Sequence, residues 1–171
     1  DEPFVFTLEQ FDRMPFVTAC VYEGMRLACV GGTVRRTPTD AAVRLRARVT
    51  AHGGKLYDIT IPRNRLVMNR ACVTHIDETR FANAAAFDPQ RFLDDPKLTA
   101  LITPFGGGQH LCPGRHFVFG EIRSLVANIV LRYDLDVLDK RAPPLRPDMH
   151  AVALSPDGDC RVRFVPRERA S

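Results

Sequence analysis

The chain has 171 residues, the size of one ordinary domain rather than two. With 45% hydrophobic and 26% charged residues, it is excluded from the disordered and fibrous classes. Lys and Arg number 24 against 20 Asp and Glu, a net charge of +4, which suits an acidic partner but does not call for nucleic acid.

The first predicted helix runs from about Met14 to Ala28. Pro15 sits in its first turn, where the missing N–H costs nothing, and Val17, Cys20, Val21, Met25 and Leu27 recur at helical spacing. Met25 is expected in the core, and Gly31-Gly32 ends the segment. Val43 to Thr50 alternates apolar and polar residues, which predicts a half-buried strand. Gly53-Gly54 turns the chain and Leu56 to Ile61 returns as a second strand. Asn64 can take a left-handed turn conformation before the apolar run Leu66-Val67-Met68.

From His75 to about Thr103 the pattern predicts short helical pieces and many turns. Phe105-Gly106-Gly107-Gly108 is the sharpest punctuation in the chain. A second long helix is predicted from about Gly114 to Arg132, with Phe117, Ile122, Leu125, Val126, Ile129 and Val130 as its apolar stripe. In the tail, Ala151 to Leu154 and Arg161 to Val165 flank Pro156-Asp157-Gly158, a hairpin signal.

Cysteines stand at 20, 29, 72, 112 and 160, an odd number with no Cys-x-x-Cys pair. This signals neither a disulfide framework nor a four-cysteine zinc site, and a reducing compartment is expected. Cys20 and Cys29 read as small apolar residues; Cys72 and Cys160 carry no signal. Leu98 to Gly114 is uncharged but holds two prolines and four glycines, unsuited to a spanning helix. The start, Asp1-Glu2-Pro3, has neither an initiator Met nor a signal-peptide pattern, so a processed piece or a fragment is expected.

The chemistry concentrates in Phe105-Gly106-Gly107-Gly108-Gln109-His110-Leu111-Cys112-Pro113-Gly114-Arg115. A glycine-rich turn delivers one cysteine to the start of a long helix, where the positive helix end favours a thiolate. Three glycines let the backbone lie flat against something broad, and a thiolate is an axial ligand for haem iron. Other chemistries use the same residues. His110, Cys112 and His116 could share a zinc ion, although a fourth ligand at suitable spacing is missing. Cys112 could act as a nucleophile with His110 or His116 as its base. A phosphate loop at Gly106 to Gly108 lacks the Lys-Ser/Thr that should follow.

The segment resembles the haem-binding signature of the cytochrome P450 family, Phe-x-x-Gly-x-x-x-Cys-x-Gly, with Phe105, Gly108, Cys112 and Gly114 at all four fixed positions. Further motifs follow the family order. Glu23-Gly24-Met25-Arg26 resembles the Glu-x-x-Arg of helix K, an i,i+3 pair on one helix face. Phe87-Asp88-Pro89-Gln90-Arg91-Phe92 resembles the later Phe-x-Pro-x-Arg-Phe element, which implies that Glu23, Arg26 and Arg91 form one buried triad. Arg35, five residues before Asp40, and His110 match positions that contact haem propionates. His75 and Asp77 resemble the family's His-x-Asp before the meander.

The resemblance implies an α+β chain that is the C-terminal portion of the mainly helical cytochrome P450 fold: helix K, β-hairpins, meander, Cys-ligand loop, helix L and tail hairpin. One partial domain would fill residues 1–171, with its motifs in about 10–135 and a hairpin tail in 136–171. It implies haem b (iron protoporphyrin IX), bound by Cys112 as axial iron ligand with Arg35, His110, Phe105, Gly106, Gly108 and Gly114 around it. It implies a monooxygenase, inserting one oxygen atom from O2 into a lipophilic small molecule. Its electrons would come from an NADPH-dependent reductase. A haem-thiolate isomerase or dehydratase, or a truncated non-catalytic piece, shares every motif. The family's oxygen-activating helix should precede helix K and has no match in residues 1–12; an endoplasmic-reticulum anchor would lie there too. Two local departures stand out: Arg63-Asn64-Arg65 replaces a usual turn glycine, and Pro113 after the cysteine removes an N–H.

Overall fold

The computed structural model describes residues 4–28, 32–49, 53–139, 145–148 and 153–167. Cys29, Gly31, Thr50, Ala151 and Val152 lie outside the described residues. A short helix α1, Leu8–Asp12, starts the chain, with Thr7 and Gln10 satisfying each other's backbone N–H in a capping box. Helix α2 spans Pro15–Leu27 with Pro15 at its first position. Strands β1 (Gly32–Arg36), β2 (Val43–Val49), β3 (Lys55–Ile61) and β4 (Leu66–Arg70) follow, then α3 (Ala71–His75). After an irregular stretch come α4 (Gln90–Asp94), a 3₁₀ turn at Pro96–Leu101, another at Gly108–His110, and the long helix α5, Arg115–Arg132. Strands β5 (Tyr133–Val137), β6 (Leu145–Asp148), β7 (Ala153–Pro156) and β8 (Val162–Pro166) close it.

Among the described residues the strands form four separate antiparallel pairs, β1 with β4, β2 with β3, β5 with β8 and β6 with β7. The tail hairpin therefore differs from the one that Pro156-Asp157-Gly158 suggests: Ala153–Pro156 pairs back onto Leu145–Asp148, and Val162–Pro166 pairs onto Tyr133–Val137. The reason is the link between them. Arg161 binds the Asp139 carboxylate with its guanidinium and backbone N–H, and its carbonyl accepts the Leu138 N–H, which fixes β8 to the end of β5.

The β2–β3 hairpin follows the predicted alternation but not the predicted half-burial. Val43, Leu45, Ala47 and Val49 face Ile61, Ile59, Tyr57 and Lys55 across the pair, yet Leu45 and Ile59 stay 46% and 51% exposed. A two-stranded ribbon has no second layer to cover its apolar side. Asn64 takes the left-handed conformation (φ 55°) and its side chain accepts from Arg36. Buried Thr37 donates to the Pro62 carbonyl and accepts the Arg65 N–H, so this turn is clipped to the end of β1.

The core is small. Ala19, Phe81, Ala84, Phe92 and Ile102 form it, with Tyr22, Leu93, Leu98 and Leu101 packed around them. The Tyr22 ring meets Phe92 at 5.6 Å and Phe119 at 4.9 Å, tying α2 to α4 and α5. The stripe expected on α5 is only partly covered: Ala127 is buried, while Phe117 is 74% and Leu125 60% exposed. Met25 is half-buried rather than in the core.

Candidate functional site

The glycine turn is built by three short hydrogen bonds. Gly106 N–H donates to the Thr103 carbonyl, Leu111 N–H to Gly108, and Cys112 N–H to Phe105 at 3.1 Å. Gly106 (φ 77°) and Gly108 (φ 64°) adopt the left-handed conformations that glycine takes without strain. A Cβ on Gly106 would sit 3.6 Å from the Thr33 hydroxyl, so β1 lies directly against the turn. The last bond brings Cys112 back beside Phe105, one turn before α5 begins. There the Cys112 carbonyl accepts from the backbone and side chain of Arg115.

Between this turn and the β1–β4 pair lies an open cleft of about 720 Å³. The register puts Thr33 opposite Asn69 and Arg35 opposite Val67 on one face of the pair, and these four line one wall. Phe105, Gly106, His110 and Cys112 line the other. So five of the residues expected at the cofactor, Cys112, Arg35, His110, Phe105 and Gly106, share one cleft. Gly108 and Gly114 lie outside its lining; Gly108 turns the loop and Gly114 caps α5. Among the described residues no three His, Cys, Asp or Glu side chains cluster closely enough to hold a metal ion by themselves. The sequence had not marked Thr33 or Asn69. Their strands pair across more than thirty residues, and no short-range pattern encodes that.

Away from the cleft lining, Glu23, Arg26 and Arg91 meet. Arg26 donates two hydrogen bonds of 2.7 Å to the Glu23 carboxylate, and Arg91 donates a third at 3.3 Å. Glu23 and Arg26 are fully buried and Arg91 nearly so. The guanidiniums also serve the irregular chain between α3 and α4. Arg26 donates to the carbonyls of His75, Ala84 and Ala86, and Arg91 to those of Ala82, Asn83 and Asp88. A segment without secondary structure must satisfy its carbonyls somewhere, and these two side chains do it. Burial alone would push the Glu23 carboxyl up. Hydrogen bonds from Arg26 and the Asp88 N–H, with the charges of Arg26 and Arg91, outweigh this and hold it below the ordinary carboxylate range.

His75 joins the two clusters. It is fully buried at the end of α3; its carbonyl accepts from Arg26, and its Nε2 accepts the Thr103 N–H at 2.9 Å. Asp77 opens the next turn by accepting the N–H and hydroxyl of Thr79. Cys20, Cys72 and Cys160 are free thiols, none of them in the cleft.

The family model for Cytochrome P450 matches residues 3–160. "Cytochrome P450 monooxygenase cdmJ" of Talaromyces verruculosus is 31% identical, over 88% of this chain and 33% of its own length. A "Cytochrome P450 monooxygenase" of Gibberella zeae is 30% identical, over 94% of this chain and 30% of its own. "Cytochrome P450 4A2" of Rattus norvegicus is 31% identical, over 75% of this chain and 24% of its own. The chain thus spans a third or less of these relatives. Among solved structures, a retinoic acid-bound cyanobacterial CYP120A1 superposes with a TM-score of 0.73 over 95% of this chain and 35% of that one, at 24% identity, which speaks for the fold. No described helix is long and apolar enough to cross a membrane. With a family match over nearly its whole length, four motifs in family order and the fold of its solved neighbours, the chain belongs to the cytochrome P450 family and is a partial, mixed helix-and-strand portion of that fold.

Proposed function

We propose that this chain is the haem-ligating portion of a monooxygenase that inserts one oxygen atom from O2 into a lipophilic small molecule. Family membership implies a haem; haem b held by the Cys112 thiolate is the form the residues fit. The observation that carries this reading is the single cleft shared by Cys112, Arg35 and His110 around a glycine turn. When bound, a thiolate-ligated haem supplies oxygen activation, because the thiolate's electron donation favours O–O cleavage. The chain's residues hold it. Cys112 would supply the sulfur ligand, Gly106 would leave the backbone free of a side chain at the cleft wall, and Arg35 and His110 would offer donors to the carboxylates of the group. Glu23, Arg26 and Arg91 keep the underlying scaffold fixed, as bidentate arginine pairs do.

The relatives named as monooxygenases support the activity. A net charge of +4 supports docking to an acidic, NADPH-dependent reductase. The free thiols among the described residues support a reducing compartment. The test is the absorption spectrum of the ferrous–CO form after haem reconstitution. A thiolate-type band is expected, and its absence from correctly folded, haem-loaded protein would overturn the reading.

A further inference from the structure

We propose that His75 is a proton-sensitive latch: it positions the turn leading to Cys112 by accepting the Thr103 N–H, and it releases that turn when the imidazole is protonated. The inference concerns Cys112 positioning, and only its link to ligation rests on the haem reading above.

The geometry fixes the tautomer. Nε2 accepts from Thr103, so its lone pair is occupied and the neutral ring carries its proton on Nδ1, a buried atom that meets no well-aligned hydrogen-bond partner among the described residues. A second proton can only go onto Nε2, where it would face the Thr103 N–H donor to donor. Thr103 in turn accepts the Gly106 N–H, and Phe105 two residues on accepts the Cys112 N–H. Three hydrogen bonds therefore lead from the imidazole to the cysteine, through a turn whose regular piece is the short 3₁₀ turn at Gly108–His110.

The surroundings favour the neutral ring. Burial, with a smaller contribution from the Arg26 charge, holds the imidazole below its usual range, partly offset by the Arg26 backbone, whose carbonyl favours the protonated ring. Arg26, from α2, is the charged group that contacts His75, and Glu23 balances it. On its own segment, Cys72 precedes it by one turn, and Asp77 is engaged with Thr79 and Arg80. At the other end, Thr103 brings only its backbone to the ring.

The test is amide hydrogen exchange in the full 171-residue chain without haem, comparing wild type, His75→Gln and His75→Phe. Gln keeps a neutral acceptor where Nε2 lies; Phe keeps bulk and loses the acceptor. At about pH 7.5 the Thr103 amide should lose roughly ten-fold protection in His75→Phe, relative to the Ala127 amide in α5, and keep most of it in His75→Gln. Between about pH 7.5 and pH 5 the same ratio should fall in wild type and stay level in His75→Gln. Should His75→Phe fail to fold, the wild-type and Gln pH series decides alone. Equal protection in all three proteins, or a pH response unchanged in His75→Gln, would overturn the latch. With haem added, loss of the thiolate-type ferrous–CO band at acid pH should likewise be smaller in His75→Gln. A latch that exchange detects beside a missing haem band would count against the haem reading alone.

Discussion

Arg26 and Glu23, three residues apart on α2, face each other through two hydrogen bonds of 2.7 Å with both side chains withdrawn from water. On a solvated helix such a pair contributes a few tenths of a kcal/mol. Here it is the hub of a larger arrangement. Six backbone carbonyls between His75 and Asp88 accept from Arg26 or Arg91, so two buried cations organise a stretch that has no ladder of its own. The Arg26 guanidinium also lies 5.0 Å above the Phe81 ring, joining the network to the apolar core.

Removing one partner of this network should be severe. Arg91→Ala leaves Glu23 with one cation fewer and strands the carbonyls of Ala82 and Asn83. Breaking a buried pair this way costs about 3–5 kcal/mol, a large fraction of the stability of an ordinary domain. The expected outcome is insoluble or haem-free protein. Soluble Arg91→Ala with wild-type unfolding and haem content would show that the network is dispensable.

The cysteines should separate cleanly. Cys112→Ala should abolish thiolate-ligated haem, whereas Cys20→Ala, Cys72→Ala and Cys160→Ala should keep it. Cys112 lines the cleft and the other three do not. Burial also pushes the Cys20 thiol up, so it stays protonated and a poor ligand at neutral pH. The ferrous–CO spectrum of each variant is the check; a normal thiolate band in Cys112→Ala would refute the assignment.

Stability should fall as the medium turns acid, in two stages. The His75 imidazole is held below its usual 6.5, so the unfolded chain takes the proton first and stability declines as pH drops beneath that value. The Glu23 carboxyl is held below its usual 4.5, so its contribution is present above that pH and disappears as pH falls through the lowered value. Urea midpoints measured from neutral pH downward should show both stages in wild type. His75→Gln should lack the first, and an identical pH profile in the two proteins would contradict it.

The described chain should not turn over on its own. Among the described residues nine apolar side chains are buried while twenty-three large ones are exposed, among them Phe117 and Leu125 on α5 and Leu45 and Ile59 on the β2–β3 ribbon. Such faces favour self-association. The cleft is open, and among the described residues nothing shields a reactive centre from water or orients a C–H bond. Haem, NADPH, a reductase and a panel of lipophilic substrates should yield peroxide without coupled product. Coupled hydroxylation by residues 1–171 would contradict this.

By itself the sequence determined the two long helices, because α2 and α5 carry their own period, a proline start and a glycine entry. It also determined the β2–β3 ribbon, where alternation and Gly53-Gly54 act over a dozen residues, and the family, because Phe105, Gly108, Cys112 and Gly114 keep their spacing whatever surrounds them. Only the tertiary structure decided what those elements touch. Thr33 and Asn69 reach the cleft through a pairing between distant strands; His75 reaches Thr103 across 28 residues; and Asp139 capturing Arg161 fixes β8 to β5. Periodicity and turn chemistry are local properties. Burial depends on whether another layer arrives, which is why the apolar stripes of α5 and β2 were legible as stripes while their exposure was not.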